Sequence, residues 1–430
     1  MSSKNNSRNA IIIIGILFFI FGFVTWLNGT LIPFLKLACQ LKTDIQAFFV
    51  TFAFYMAYFF LAIPSSYVLK KTGFKNGMAL GLLIMGMGSL IFVPAAQSRS
   101  FELFLVGLFV QGTGLALLQT ASNPYISIVG PIESAAKRIS IMGICNKIAG
   151  ALSPLILSAV ILKNAGQLEE KINATTDMAQ KEILLNELAS RVLMPYIIMA
   201  CILFLLAFMI KKSSLPEINI DKEEPQATNA QIEKTSVFQF PHLLLGVICL
   251  FVYVGVEVLA GDAIGTYGKT MGMSTDKTKY FTTYTLIAML VSYIIGIFTI
   301  PKIISQQTAL KISALLGIVF SVCIYATTGY TAITFIALLG LANALMWPAI
   351  FPMAIDGLGK YTKTGSAFLV MGIAGGAVIP LLYPYLRFTQ LPNNLSFFIC
   401  TFPCYVYILY YATKGYKVGK TKAIPITSLT

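Results

Sequence analysis

The chain consists of a series of long apolar runs separated by short polar connectors. A helix needs about 20 apolar residues to cross about 30 Å of hydrocarbon, whereas strands of a membrane barrel alternate over segments of about ten residues. The residues are 57% hydrophobic and only 11% charged, compared with about 25% charged in soluble domains. The runs therefore predict an all-α polytopic membrane protein.

Twelve runs can be placed along the chain. We expect spans at 10–36, 45–69, 77–97, 101–129, 137–163, 191–210, 240–267, 280–301, 309–328, 331–355, 363–386 and 394–413. The longest polar connector in the centre of the chain follows the sixth span. The chain should therefore divide into an N-terminal six-helix bundle (1–210), a cytoplasmic linker (211–238) and a C-terminal six-helix bundle with a short cytoplasmic tail (239–430).

The two halves carry similar short motifs at equivalent positions. Gly150-Ala-Leu-Ser-Pro154-Leu in span five matches Gly376-Ala-Val-Ile-Pro380-Leu in span eleven, six spans later. Such a repeat indicates two pseudo-symmetric bundles with a substrate site near mid-membrane, where the repeats meet. The sequence thus favours a transporter over a channel or a membrane enzyme.

The net charge of +14 reflects membrane topology rather than a nucleic-acid partner. Lys and Arg lie in the connectors, with an excess on the side that carries both termini, which predicts cytoplasmic termini in a cytoplasmic (inner) membrane. His242 is the only histidine, and the seven cysteines form no C-x-x-C pair. We therefore expect no enzyme activity and no cofactor.

Two acids, Glu257 and Asp262, lie inside the apolar span seven. A charged residue at that depth costs about 2.5–3.5 kcal/mol on the insertion scale, so such residues usually face a cavity, a partner charge or an ion. Five helical residues separate their directions by about 140°. Gly255, Gly261 and Gly265 suggest a local break, which would let both acids serve as Na⁺ ligands. In an unbroken helix only one acid could face the cavity, and Glu257 would be our choice.

Lys147 lies about ten residues inside span five, where a lysine that faces lipid would be costly. An ion pair with Glu257 would satisfy both charges, and we assign Lys147 to cation coupling together with the two acids. Two alternatives remain open. Lys147 could pair with backbone carbonyls, and the acids could form a purely structural ion pair that locks span seven to a neighbour.

Amides and tryptophans occur together in several spans. Amides can hydrogen-bond to sugar hydroxyls, and an aromatic face can pack against the C–H face of a sugar ring. The alternatives are amides that bridge two helices and tryptophans of an interfacial belt. The candidate substrate-binding residues are Asn28, Trp26, Gln119, Asn123, Asn146, Asn343 and Trp347.

Several motifs resemble those of one transporter family. They are Trp26-Leu-Asn28-Gly29-Thr-Leu-Ile-Pro33, Gln119-Thr-Ala-Ser-Asn-Pro-Tyr125-Ile, Ile144-Cys-Asn146-Lys-Ile-Ala-Gly150 and Tyr253-Val-Gly-Val-Glu257-Val-Leu-Ala-Gly-Asp262. Together they resemble the major facilitator superfamily, in particular the glucose/galactose transporter branch of the fucose–proton symporter family. The resemblance covers nearly the whole chain.

This resemblance implies a two-bundle transporter that rocks around a central sugar site. Fucose-type proton symporters carry acids where Gly29 and Gln119 stand here, while Glu257 and Asp262 have no charged counterpart in them. The resemblance therefore implies a symporter that imports glucose and galactose with Na⁺ rather than H⁺, acting as a monomer in the lipid bilayer. The alternatives are a proton-coupled symporter of fucose or another sugar, and an exporter of amphiphilic compounds.

Overall fold

The computed structural model describes residues 2–128, 135–213, 215, 235–300 and 303–420. Within these residues, 11 helical segments are long and apolar enough to cross a membrane. One of them, Asp44–Ser98, has 55 residues, which at 1.5 Å per residue would extend about 80 Å, far beyond the bilayer. Gly73 interrupts it with φ 75° and ψ 171°, so this segment holds two spans, and the described part of the chain contains the twelve expected.

The described helices fall into two halves of the chain. The first half contains α1 (Ser2–Thr25), α2 (Asn28–Ala38), α3 (Asp44–Ser98), α4 (Phe101–Ile128), α5 (Ala135–Ile161), α6 (Ala165–Ala174), α7 (Met178–Ser190) and α8 (Leu193–Lys212). The second half contains α9 (Pro241–Thr270), α10 (Thr275–Thr278), α11 (Phe281–Thr299), α12 (Gln306–Ala326), α13 (Gly329–Asn343), α14 (Met346–Ile355), α15 (Thr362–Met371), α16 (Gly375–Phe388) and α17 (Asn393–Thr413). The predicted linker between the halves lies largely outside the described residues.

Local sequence signals explain where several helices begin. The Thr43 hydroxyl accepts from the Gln46 backbone N–H, and the Gln46 side chain accepts from the Thr43 N–H, each at 3.2 Å. This reciprocal pair caps the start of α3. Pro241 starts α9, where its missing N–H costs no intrahelical bond.

Within the described residues, three membrane spans are interrupted. Span seven, in which the sequence suggested a break, is not one of them. Span one breaks between α1 and α2 at residues 26–27, span ten between α13 and α14 at residues 344–345, and span eleven at the 3₁₀ turn 372–374. Span seven, by contrast, is the continuous helix α9. The expected break at Gly261 is therefore wrong, because this glycine serves close packing against Trp26 instead.

The helices pack both within and between the two halves. In the first half α3 packs against α4 and α8, and α1 against α5; in the second, α9 packs against α16 and α17. Small residues allow close approach: a β-carbon on Gly22 of α1 would lie 1.8 Å from the Asn146 carbonyl oxygen of α5. The contacts that join the halves include α2 with α9, α3 with α15 and α16, and α5 with α11. Helix α9 therefore lies against both halves at the centre of the molecule.

Candidate functional site

An ion pair joins the two halves near the middle of the membrane spans. Nζ of Lys147 in α5 lies 2.7 Å from Oε1 of Glu257 in α9. Lys147 is 7% and Glu257 8% exposed, so each charge is buried and neutralised by the other. The same ammonium group lies 4.8 Å from the ring centroid of Trp26, within the range of a cation–π contact. The ion pair suggested by the sequence is thus present, with an aromatic neighbour.

The indole of Trp26 is wedged between the halves at the break in span one. A β-carbon on Gly150 of α5 would lie 2.4 Å from its Cδ1, and one on Gly261 of α9 would lie 2.3 Å from its Cζ3. Only glycines leave room for the ring at both positions. Because Trp26 is 2% exposed, its ring is covered in this arrangement of the helices. A sugar could stack on it only after the halves move.

The second acid, Asp262, has no cationic partner among the described residues. Its Oδ2 accepts a hydrogen bond of 3.0 Å from the hydroxyl of Thr51 in α3. Its Oδ1 is buried and makes no hydrogen bond to a described side chain, and the backbone N–H of Gly29 is the other donor to this carboxylate. The carboxylate therefore contacts the first half through α3, whereas Glu257 contacts it through α5. Both acids of the unbroken helix thus contact the first half, in different directions.

The predicted amides differ in how far their hydrogen bonds are satisfied. Both side-chain atoms of Asn28 are buried without a hydrogen bond to a described residue. Gln119 donates to the Tyr58 hydroxyl at 3.1 Å. The Tyr405 hydroxyl donates to Oδ1 of Asn343 at 2.8 Å, while Nδ2 of Asn343 is buried without a partner among these residues. Asn28 and Asn343 thus keep free hydrogen-bonding capacity.

The remaining candidates lie in contacts within their own halves. Asn146 donates to the Phe18 carbonyl at 3.4 Å, between α5 and α1. Trp347 stacks on Phe351 in α14 with ring centroids 5.8 Å apart. Asn123 is partly buried in α4. The structure therefore brings Trp26, Lys147 and Glu257 into direct contact, but it does not join Trp347 or Asn146 to them.

Sequence reasoning gave no role to three hydroxyl groups that contact the candidate residues. They belong to Thr51, Tyr58 and Tyr405. A threonine in a span usually bonds to the carbonyl one turn earlier in its own helix, so Thr51 carries little signal on its own. Tyr58 lies two turns after Thr51 on α3, so both side chains lie on the same face of this helix. That spacing is the signal in the sequence that could have identified this face as part of the site.

Comparison with known proteins agrees with the fold. The family model described as Major Facilitator Superfamily matches residues 14–410. The chain is 33% identical to a glucose/galactose transporter of Brucella abortus, over 97% of this chain and 96% of that protein. It is 28% identical to the L-fucose-proton symporter of Escherichia coli, over 84% of this chain and 83% of that protein.

A solved structure has the same fold. The transporter FucP in its outward conformation superposes with a TM-score of 0.74 at 24% identity, covering 95% of this chain and 98% of that chain. The apolar helices and the family match identify an integral membrane protein. The matching relatives are transporters, which confirms the expectation that the chain is not an enzyme.

Proposed function

Because this chain belongs to the major facilitator superfamily, we propose that it is a cation-coupled symporter that imports hexoses, glucose and galactose foremost, by alternating access. The observation that carries the proposal is Asn28, an amide buried at the helix break of span one with neither side-chain atom hydrogen-bonded to a described residue. Leaving such a group unsatisfied costs about 1–3 kcal/mol. A ligand rich in hydroxyl groups would remove that cost.

The neighbouring groups support a sugar rather than an amphiphilic compound. Gln119 and Asn343 are uncharged hydrogen-bonding side chains, one in each half. Amides of this kind would exchange hydrogen bonds with hydroxyls as the halves close on a hexose. An exporter of amphiphilic compounds would instead be served by an apolar pocket with few polar groups. The name of the Brucella abortus relative agrees with a hexose.

We propose Na⁺ as the coupling cation. The positions of Gly29 and Gln119 are uncharged, although the resemblance to fucose-type proton symporters would lead one to expect acids there. Glu257 and Asp262 lie instead in α9, where one oxygen of Asp262 makes no hydrogen bond to a described side chain. Na⁺ binds through oxygen ligands and needs no proton carrier. The name of the Escherichia coli relative makes H⁺ the second candidate.

The proposed topology places both termini in the cytoplasm of the inner membrane and the α6–α7 segment outside. Two bundles, 1–210 and 239–430, would rock about the central site, with one chain sufficient for transport. In this orientation the Lys269–Glu169 ion pair, with Nζ 3.1 Å from Oε1, lies on the outer side between α9 and α6. Because this ion pair connects the two halves there, we interpret the outer side as closed in this arrangement of the helices.

Uptake of labelled glucose into vesicles that contain the purified protein tests the proposal. An inward Na⁺ gradient at equal pH on both sides should drive accumulation, and unlabelled galactose should compete. A pH gradient in Na⁺-free buffer should drive little. Equal accumulation under the pH gradient alone would replace Na⁺ by H⁺. Absence of any hexose uptake or exchange under either gradient would refute the hexose assignment.

A further inference from the structure

We propose that the coupling Na⁺ binds between the two halves at Asp262, with the hydroxyl oxygens of Thr51 and Thr282 as further ligands, and that Glu257 does not bind it. This inference rests on the proposed function, since it assigns the residues that hold the coupling cation. The three side chains come from α3, α9 and α11. The site therefore combines one residue of the first half with two of the second.

The carboxylate of Asp262 has one oxygen that no described side chain pairs with. The residue is 2% exposed, and its Oδ1 makes no hydrogen bond to a described side chain. A carboxylate so deeply buried is expensive unless it is paired or binds a cation. The Thr51 hydroxyl donates to Oδ2 at 3.0 Å, and the backbone N–H of Gly29 is the other donor to this carboxylate. These two neutral donors leave its charge unpaired, so Asp262 has the charge and the coordinating oxygen that a cation requires.

The two threonine hydroxyls present lone pairs rather than hydrogens to this region. The Thr51 hydroxyl gives its only hydrogen to Asp262. The Thr282 hydroxyl gives its only hydrogen to the Gly261 carbonyl at 2.7 Å. Each oxygen is therefore left with lone pairs that can bind a cation. Thr51 is fully buried and Thr282 is 3% exposed, so little water competes for them.

Gly29 packs directly against two of these oxygens. A β-carbon on Gly29 would lie 2.7 Å from Oγ1 of Thr282 and 3.3 Å from Oδ1 of Asp262. Both oxygens therefore lie close to one point beside a residue that has no side chain. A larger residue at position 29 would push at least the Thr282 hydroxyl away. The absence of a side chain at position 29 is thus a condition for the two oxygens to come this close to each other.

Glu257 is unsuited to the same task. Its Oε1 lies 2.7 Å from the Lys147 ammonium, so a cation bound there would face a positive charge at close range. Releasing Lys147 would in turn leave a buried lysine without its partner, which costs several kcal/mol. The Lys147–Glu257 pair is therefore a structural link between α5 and α9, and Asp262 is the acid available to a cation.

The location of the site also supplies a mechanism for coupling. Thr51 reaches Asp262 only when the two halves meet as they do here. A cation bound to all three residues would stabilise this arrangement over one in which the halves have separated. Because a ligand shifts a conformational equilibrium by its difference in affinity for the two states, Na⁺ would favour closure around a bound sugar.

Thermal unfolding of the purified full-length protein in detergent tests the assignment without transport. NaCl is titrated against choline chloride at constant ionic strength, and KCl is run in parallel. Na⁺ should raise the unfolding midpoint of the wild type in a saturable manner, as expected for a ligand of the folded state. Asp262→Asn should abolish the increase. Thr51→Val, Thr282→Val and Gly29→Ala should each weaken the apparent Na⁺ affinity by about tenfold or more.

Thr283→Val is the matched control. Thr283 is equally buried at 3% and donates across the halves to the Ala151 carbonyl at 3.3 Å, but it does not contact Asp262 in the described hydrogen bonds. This variant should keep the wild-type response to Na⁺. If Asp262→Asn does not fold, the conservative Thr51→Val and Thr282→Val variants still decide the question.

The outcomes separate this inference from the proposed function. An unchanged Na⁺ response in Asp262→Asn or in both threonine variants would show that the cation binds elsewhere, while sodium-driven uptake would still support the symporter. A wild type that Na⁺ does not stabilise would overturn the inference, and uptake in vesicles would then show whether sodium coupling itself stands. A loss of response in Glu257→Gln equal to that in Asp262→Asn would also overturn it.

Discussion

The buried pair between Lys147 and Glu257 should behave as one neutral unit. We consider Lys147→Met, Glu257→Gln and the double variant. At 2.7 Å, with both groups less than a tenth exposed, removing one partner leaves an uncompensated buried charge, which costs about 3–5 kcal/mol. Removing both leaves no charge, so the double variant should lose far less than the sum of the single losses. We expect a coupling free energy of about 2–3 kcal/mol.

The free energy of unfolding of the four proteins in mixed detergent micelles measures this coupling. Arg191 and Glu187 provide a control pair, since they lie one turn apart with an N···O distance of 3.4 Å and Glu187 is largely exposed. That pair should couple by no more than about 0.5 kcal/mol. Additive losses for Lys147→Met and Glu257→Gln would refute the view that the two charges neutralise each other.

Further predictions concern the covered indole and the outer ion pair. Gly261→Ala would place a methyl group 2.3 Å from Trp26 Cζ3. We therefore expect a lower unfolding midpoint and a lower rate of hexose exchange. Wild-type values for both would contradict the close packing of Trp26 against Gly261. Glu169→Gln should weaken closure of the outer side, because Glu169 binds Lys269 at 3.1 Å. A partly exposed pair contributes at most about 1 kcal/mol. A cysteine introduced by Thr266→Cys can report opening of the outer side through its labelling by an impermeant maleimide. Adding Glu169→Gln to this variant should accelerate the labelling by up to about fivefold. No acceleration would exclude this pair as an outer closing contact.

Much of the fold could be predicted because a membrane span leaves the chain few choices. A segment in hydrocarbon must satisfy its own backbone, so each apolar run becomes a helix. Span seven, expected at 240–267, is α9 at Pro241–Thr270. The interruption at residues 26–27 was not predicted, because Trp26 and Leu27 carry no helix-breaking signal. It depends on the packing of Trp26 between glycines of two other helices.

The site could be predicted in its residue types but not in its pairings. The ion pair of Lys147 with Glu257 followed from the cost of two lone charges in apolar spans. The neighbours of Asp262 did not, since Thr51 and Gly29 are distant from it in sequence. The resemblance to fucose-type symporters marked Gly29 as a position where an acid is missing. In the structure, Oδ1 of Asp262 lies 3.3 Å from where a side chain at Gly29 would begin, so a carboxylate reaches the same place from α9.

The most direct test of the account compares accumulation with exchange in one variant. Vesicles containing Asp262→Asn are loaded with unlabelled glucose to measure exchange, and parallel vesicles receive an inward Na⁺ gradient to measure accumulation. The account predicts that exchange persists, because the amides that bind the sugar are intact, while accumulation above equilibrium is lost. Na⁺-driven accumulation at the wild-type level by this variant would contradict the claim that a cation at Asp262 couples hexose import.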